Sequence, residues 1–337
     1  MGSRRGLPPP RGFDGPRLGL AAIRIGPGLM LLTVVVAVAL LSPVFLSTRN
    51  LGNVLSQSAV LAVLALAQLL VIVTRGIDLS VGSTLALSAV VGALVFQSTS
   101  SGVVVVLAML LTVALVGAFN GTVFVYGRLP HPFIVTLATL SIARGLALWL
   151  SGGQPLQGMP QVVQDLGGGS IGWFPISAFL VGGLALLALL LTTRLVWGRW
   201  IYAVGGNPDG AVRAAIPAKQ VVISVYVLSG LAAGIGAVIT AGRLNGGSPT
   251  FGQLAELDTI AAVVIGGASF LGGRGNVANA LIGALMIGVI RNGMNLLNVD
   301  AFLQFIVIGV VILLAVELDV VRGRLEQRLR VLQAARV

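Results

Sequence analysis

The sequence predicts an all-α, polytopic membrane protein of about ten transmembrane helices, arranged as two inverted repeats with short or broken helices. Three observations predict it. Of 337 residues, 56% are hydrophobic and only 9% charged, whereas about a quarter of a soluble domain is charged. The mean hydropathy is +1.02, and a soluble chain has no means of covering that much apolar surface. Apolar runs close to the ~20 residues needed to cross the hydrocarbon recur along the chain, and the basic residues fall in alternate loops between them.

The first 26 residues, basic and rich in Pro and Gly, read as a cytoplasmic tail (1–26). A cleaved signal peptide is the rival reading. The apolar run at 27–46 is longer than a signal core and lacks an evident small-x-small cleavage site, so an uncleaved first span is expected. The following spans are expected at 54–73, 79–97, 103–125, 132–151, 175–197, 220–241, 257–272, 277–298 and 301–317, with 79–97 and 257–272 short or interrupted. The membrane core thus covers 27–317, and a basic cytoplasmic tail closes the chain at 318–337.

Charge distribution sets the topology. With the N-terminus inside, the cytoplasmic segments hold Arg75, Arg128, Arg194, Arg199, Arg213, Lys219, Arg274 and the basic residues of both tails, while the outer loops hold Arg49 and Arg243. The longest outer loop, 151–175, has no Lys or Arg. That asymmetry fits the positive-inside rule with both termini cytoplasmic. The formal charge of +11 is spread over these loops and tails, which suits anionic headgroups and not a nucleic-acid surface.

The two halves resemble each other. "RGIDLSVGSTLALSAVVGAL" precedes an Asn120–Gly121 pair, and "AELDTIAAVVIGGASFLGG" precedes an Asn292–Gly293 pair. Each half opens a short small-residue segment with an aliphatic–Asp pair, Ile77–Asp78 or Leu257–Asp258. The charge-based topology runs these segments in opposite directions, as in transporters whose interrupted helices flank a pathway.

A carboxylate in hydrocarbon costs at least ~2.5 kcal/mol. Asp78 sits among Gly76, Ser80, Gly82 and Ser83 and can accept from backbone N–H groups two or three residues on, capping the half-helix that follows. Asp258, followed by Thr259, can do the same. A polar wall beside a solute path is the functional alternative for Asp78, Ser80, Asn120, Asp258 and Asn292. Arg144 either snorkels outward or meets a carboxylate of a neighbouring helix, and Arg291 either forms a salt bridge or lines a solvated cavity. The cytoplasmic loop 203–220 should hold a short helix with Asn207 as its N-cap, Pro208 in its first turn and Asp209 behind it, ended by Pro217. Its apolar residues are mostly alanine, which anchors weakly in lipid, so docking to a soluble protein is expected.

Catalytic chemistry has no foothold in the sequence. Cysteine is absent and His131 is the only histidine, which excludes thiolate and multi-histidine metal sites. Lys219, the only lysine, follows no Gly-rich phosphate loop. Any energy for transport must come from a partner or an ion gradient.

With "GIDLSVGSTLALS", "HPFIVTLATLSIARGLAL", "AVGGN", "YVLSGLAAGIGAVITAGRLN", "ELDTIAAVVIGGASFLGGRG" and "NGMNLLNV" in view, the chain resembles the permease subunits of ribose-type bacterial ABC importers. Such permeases also serve other monosaccharides, related polyols and furanoid signals. The resemblance runs from about Leu51 to Glu317. It implies a multi-pass permease of the bacterial inner membrane that moves a monosaccharide or related polyol inward by alternating access. Its implied partners are a second permease subunit (identical or a paralogue), an extracytoplasmic sugar-binding protein and cytoplasmic ATPase subunits that carry ATP and Mg, with no cofactor on this chain. The resemblance also makes Asn207, Pro208, Asp209, Arg213 and Ile216 a coupling helix that meets the ATPase. The family's Glu-Ala-Ala, Arg and Gly pattern there is replaced by "NPDGAVRAAI", Arg75 stands where a small residue is common, and Arg291 where a neutral one is. Rival readings are a permease for nucleosides or branched-chain amino acids, an ion-coupled secondary transporter, and a membrane scaffold.

Overall fold

A computed structural model describes residues 15–314 together with 316 and 317. Of the expected N-terminal tail at 1–26, residues 15–26 are instead helical and run straight into the first apolar span; 1–14, the expected tail at 318–337 and residue 315 of the last expected span lie outside the described residues. The chain forms α1 (Gly15–Leu41), α2 (Thr48–Val73), α3 (Val81–Ser98), α4 (Gly102–Tyr126), α5 (Pro132–Ser151), α6 (Gln161–Gly168), α7 (Ile176–Thr193), α8 (Val196–Gly206), α9 (Pro208–Arg213), α10 (Ala218–Leu244), α11 (Ala255–Ile265) and α12 (Val277–Leu296). A further apolar helix, α13, covers Ala301–Leu314.

Seven of these helices, α2, α3, α4, α5, α7, α10 and α12, are long and apolar enough to cross a membrane. Gly26–Leu41 and α13 are shorter apolar helices, and α11 has 11 residues. Each of the ten expected spans therefore coincides with a helix, but three fall short of the spanning length among the described residues. The expected span 175–197 ends at Thr193, where the chain turns before α8. The expected 257–272 stops at Ile265, because Gly267 takes a positive φ and the backbone turns away.

Local chemistry explains most helix ends. Ser47, Ser101 and Asn276 sit at N-caps, and their side chains accept from the N–H of Asn50, Val104 and both Ala278 and Asn279 respectively. Pro132 opens α5, and Gly152 in the left-handed region closes it.

Packing centres on α2 and α10, which lie against each other. α10 also packs on α4, α6 and α3, while α2 packs on α12, α11 and α7. Small residues permit the close approaches, as is usual where hydrocarbon gives no driving force for helix association. A Cβ on Gly121 of α4 would stand 2.8 Å from Ile223 Cα, and one on Gly230 of α10 would collide with the Val113 carbonyl. On the other side, a Cβ on Gly288 of α12 would collide with Ser58 Oγ of α2. The interior around these contacts is aliphatic, with Leu69, Ile72, Leu85, Ile239 and Ile287 fully buried.

The two ends of α2 fix where the loops lie. Gly52, near its start, touches the Trp173 carbonyl, whereas Val73 and Arg75, at its end, touch Gly205, Gly206 and Gly273. At 1.5 Å per residue a 26-residue helix is about 39 Å long. The loop 152–175 and the segment 205–213 therefore lie at opposite ends of the bundle. Two strand pairs tidy the first end: β1 (Leu156–Gln157) runs antiparallel to β4 (Gly246–Gly247), and β2 (Ser170–Ile171) to β3 (Phe174–Pro175).

Candidate functional site

Polar residues inside the bundle gather in three places and at one end. The first is a sealed knot at the break between α2 and α3. Asp78, 2% exposed, accepts at Oδ1 from the Ser80 N–H (2.9 Å) and Ser80 Oγ (2.7 Å), and at Oδ2 from Ser229 Oγ of α10 (2.7 Å). Asn120 of α4 donates to Ser80 Oγ (2.9 Å) and accepts from Thr139 Oγ1 of α5 (2.6 Å). Thr136 donates to the Ile77 carbonyl at 3.1 Å. Three donors converge on one carboxylate, which offsets the cost of placing it in an apolar interior.

The cap expected of Asp78 takes a different form. Ser80, not Asp78, holds the N-cap position of α3 and makes no side-chain cap bond. Asp78 instead bends the two residues ahead of the helix and ties α3, α4, α5 and α10 together. The cap expected of Asp258 is absent. α11 starts earlier, after Leu254, so Asp258 lies inside its first turn.

The second cluster is there. Arg291 of α12 donates to Asp258 Oδ2 at 2.6 Å, and both line a cavity between α2, α11 and α12 together with Gln57 and Gly288. The third is a reciprocal amide pair. Asn292 Nδ2 donates to Asn50 Oδ1 (2.9 Å), and Asn50 Nδ2 donates back to Asn292 Oδ1 (3.0 Å) and to the Phe45 carbonyl (2.8 Å). Arg144 does not snorkel outward: its Nη1 donates to the carbonyls of Pro249 and Phe251, anchoring the loop before α11. Its charge interacts with the Glu256 carboxylate of α11, so the expected meeting with a neighbouring helix's carboxylate is electrostatic and not a hydrogen bond.

At the far end of α2, sequence reading missed a junction. Arg75 takes φ +65° and stands at the left-handed position that closes α2, with Gly76 N–H returning to the Val71 carbonyl and Arg75 N–H to Ile72. Its guanidinium reaches the Gly205 and Gly206 carbonyls at the end of α8. Gly273 N–H donates to the Val73 carbonyl (2.8 Å) and Tyr202 Oη to the Gly275 carbonyl (2.9 Å). The "TRGID", "AVGGN" and "GGRGN" segments thus meet at one point. Burial holds the Tyr202 phenol above its usual pKa, so it stays a donor.

From that junction α9 projects. Asn207 caps it, accepting from Gly210 N–H at 2.9 Å, with Pro208 in the first turn, Asp209 behind it and Arg213 in its last turn. Ile216 lies beyond the helix, its N–H bonded to the Ala211 carbonyl. Pro217 does not end α9. The helix stops at Arg213 because Ala215 turns into the left-handed region, and Pro217 instead stands at the N-cap of α10. Among the described residues, no group of three or more His, Asp or Glu side chains gathers to hold a metal ion.

This end-loop helix beside an otherwise apolar bundle is the setting for the comparisons with known proteins. The family model described as "Branched-chain amino acid transport system / permease component" matches residues 50–316. The chain belongs to this permease family. Among its relatives, the ribose import permease protein RbsC of Bacillus subtilis (strain 168) is 41% identical over 301 residues, covering 88% of this chain and 92% of that protein. RbsC of Escherichia coli (strain K12) is 40% identical, covering 86% and 91%. The D-allose transport system permease protein AlsC of the same E. coli strain is 36% identical, covering 86% and 89%. No solved structure matches the chain at a significant level. The permease is a multi-pass membrane transport subunit and not an enzyme, and the resemblance read from its motifs holds.

Proposed function

We propose that this permease is the membrane-spanning subunit of an ATP-driven importer that carries a monosaccharide or related polyol into the cytoplasm. It works in the bacterial inner membrane with both termini cytoplasmic, beside a second permease subunit, identical or paralogous. An extracytoplasmic sugar-binding protein delivers the solute, and separate cytoplasmic ATPase subunits hold ATP and Mg. The observation that carries the reading is the similarity, at 36–41% identity over nearly the whole core, to permeases named for ribose and allose import. That favours a sugar over the branched-chain amino acid of the family's description.

Two structural features support the mechanism. The capped helix α9 leaves the bundle at the end richest in Arg and Lys, which the positive-inside rule places in the cytoplasm, where an ATPase can press on it. The packing is also reciprocal: α10 lies on α4 and α3 much as α2 lies on α12 and α11, which fits two inverted units around the α2–α10 contact. Movement of α9 would pass through α8 and Arg75 to the end of α2 and tilt one unit against the other.

Reconstitution with the candidate ATPase and binding protein tests this. The expected result is ATP hydrolysis stimulated by sugar-loaded binding protein, with sugar uptake that an uncoupler leaves intact. Uptake by vesicles holding this chain alone, abolished by an uncoupler, would mark a secondary transporter instead. Uptake of leucine and no sugar would move the permease to the amino-acid branch of its family.

A further inference from the structure

The polar groups of the two halves differ in one respect. Around Asp78 both carboxylate oxygens are met and the knot is closed. Around Asp258 the protein leaves space. A cavity of about 160 Å³ opens between α2, α11 and α12, lined by Gln57, Leu61 and Leu64 of α2, Asp258 of α11, and Gly288 and Arg291 of α12. The Asp258 and Arg291 side chains are 13% and 29% exposed. Charges inside a membrane protein face protein or a water-filled space, not hydrocarbon, and the cavity gives this pair room that the Asp78 knot lacks.

The position is informative. Asp258 lies in the first turn of α11 and Arg291 near the last turns of α12. Gln57 lies near the end of α2 that touches Trp173. All three therefore stand toward the end carrying the long loop 152–175, the extracytoplasmic end under the importer reading.

Hydrogen-bonding capacity remains after the ion pair forms. Only Oδ2 of Asp258 meets Arg291. Among the described residues, Asp258 Oδ1 and the Gln57 amide have no protein partner, and neither Arg291 Nε nor Ser58 Oγ, beside Gly288, has one. An acceptor carboxylate, a planar guanidinium and an amide suit the alternating donors and acceptors of neighbouring hydroxyls, while Leu61 and Leu64 suit the C–H face of a ring. The cavity of about 160 Å³ is well above the roughly 10–15 Å³ needed to hold one water, so it has room for several polar groups of a small solute. A neutral polyol bonds to the pair as it stands and brings no charge of its own into the cavity.

We propose that this cavity is the entry subsite for the monosaccharide, where Asp258, Arg291 and Gln57 bind sugar hydroxyls as the binding protein releases them. The proposal rests on the importer reading. Its test uses the complete complex in proteoliposomes, with D-ribose and leucine as probes. Arg291→Gln and Asp258→Asn each lower ribose uptake about tenfold, while ATP hydrolysis stimulated by loaded binding protein persists. The double exchange Asp258→Arg with Arg291→Asp keeps an ion pair but not the placement of donors and acceptors, so uptake stays low; recovery to the wild-type rate overturns the subsite and leaves a purely structural pair. Should these variants fail to assemble, Gln57→Leu decides, because it breaks no ion pair. It is expected to cut uptake roughly threefold, and unchanged uptake overturns the proposal.

A direct readout exists because the chain has no cysteine. Gln57→Cys gives a single thiol for an impermeant maleimide added outside, and D-ribose slows the labelling while leucine does not. Equal labelling with and without ribose, in a complex that still imports ribose at the reduced rate expected of a Gln57 variant, overturns the subsite alone. A wild-type complex that imports leucine and no sugar overturns the importer reading and the sugar subsite with it.

Discussion

Arg75 holds the end of α8 by two of its carbonyls, donating from Nε to Gly205 at 2.6 Å and from Nη2 to Gly206 at 2.9 Å. Its own backbone sits at φ +65°, a left-handed conformation that costs a non-glycine residue roughly 1–2 kcal/mol. Glycine is the usual occupant of that position. An arginine there is explained by what its side chain reaches. Two residues beyond Gly205 lies Asn207, the cap of α9, so the guanidinium joins the end of α2 to the root of α9.

Arg75→Gly is accordingly expected to ease the backbone and yet impair transport. The complex assembles and hydrolyses ATP, but sugar carried per ATP falls several-fold, since two charge-assisted bonds of about 1.5–3 kcal/mol each are gone. Arg75→Lys recovers little, because one ammonium lacks the fork that spans two carbonyls. Uptake and ATP hydrolysis measured on the same proteoliposomes give the ratio, and an unchanged ratio would dismiss the junction as passive.

Reversing the charges of α9 tests its role at the ATPase. Asp209 lies in the first turn and Arg213 in the last, each matching the helix dipole. Asp209→Lys and Arg213→Glu lose about 0.3–1 kcal/mol of that local support and are expected to weaken capture of the ATPase subunits by the purified permease. Intact assembly in both variants would remove α9 from the contact.

The Asp78 knot should behave as structure. Asp78→Ala strands the hydroxyls of Ser80 and Ser229 and the Ser80 N–H in the interior, at about 1–3 kcal/mol for each buried group left unpaired, and is expected to lower the unfolding temperature in detergent sharply. Asp78→Asn keeps one acceptor and costs less. Ser229→Ala removes one donor and costs less still. If Asp78→Ala melts like the parent protein, the knot does not brace the helices.

The Asn50–Asn292 pair offers a cleaner measurement. Each single alanine variant leaves a buried amide without its partner and is expected to destabilise by about 1–3 kcal/mol. The double variant Asn50→Ala with Asn292→Ala is expected to cost less than the two singles combined, with a coupling of about 0.5–3 kcal/mol in a double-mutant cycle. Simple additivity would mean that the reciprocal bonds at 2.9 and 3.0 Å hold nothing together.

By itself the sequence determined the all-helical membrane architecture, the approximate place of each apolar helix, the break at Asp78 and the short helix capped by Asn207. Each of these is written in neighbouring residues: hydropathy averages over one helix, and a cap acts across three positions. Only the tertiary structure decided which polar groups meet. Ser229 lies 151 positions from the aspartate it serves, and Asn50 lies 242 from Asn292. Asp258 reads as a cap by analogy with Asp78, yet its helix starts four residues earlier, after Leu254, and its partner is Arg291 on another helix. Asn50 in "RNLGNV" and the arginine in "TRGID" were visible signals without visible partners. In an apolar bundle almost any face can pack, so the helices that touch are chosen by small-residue contacts such as Gly117, Gly121 and Gly230 on α4 and α10. Those contacts fix the rotation of each helix, and only then is the environment of an isolated polar side chain defined.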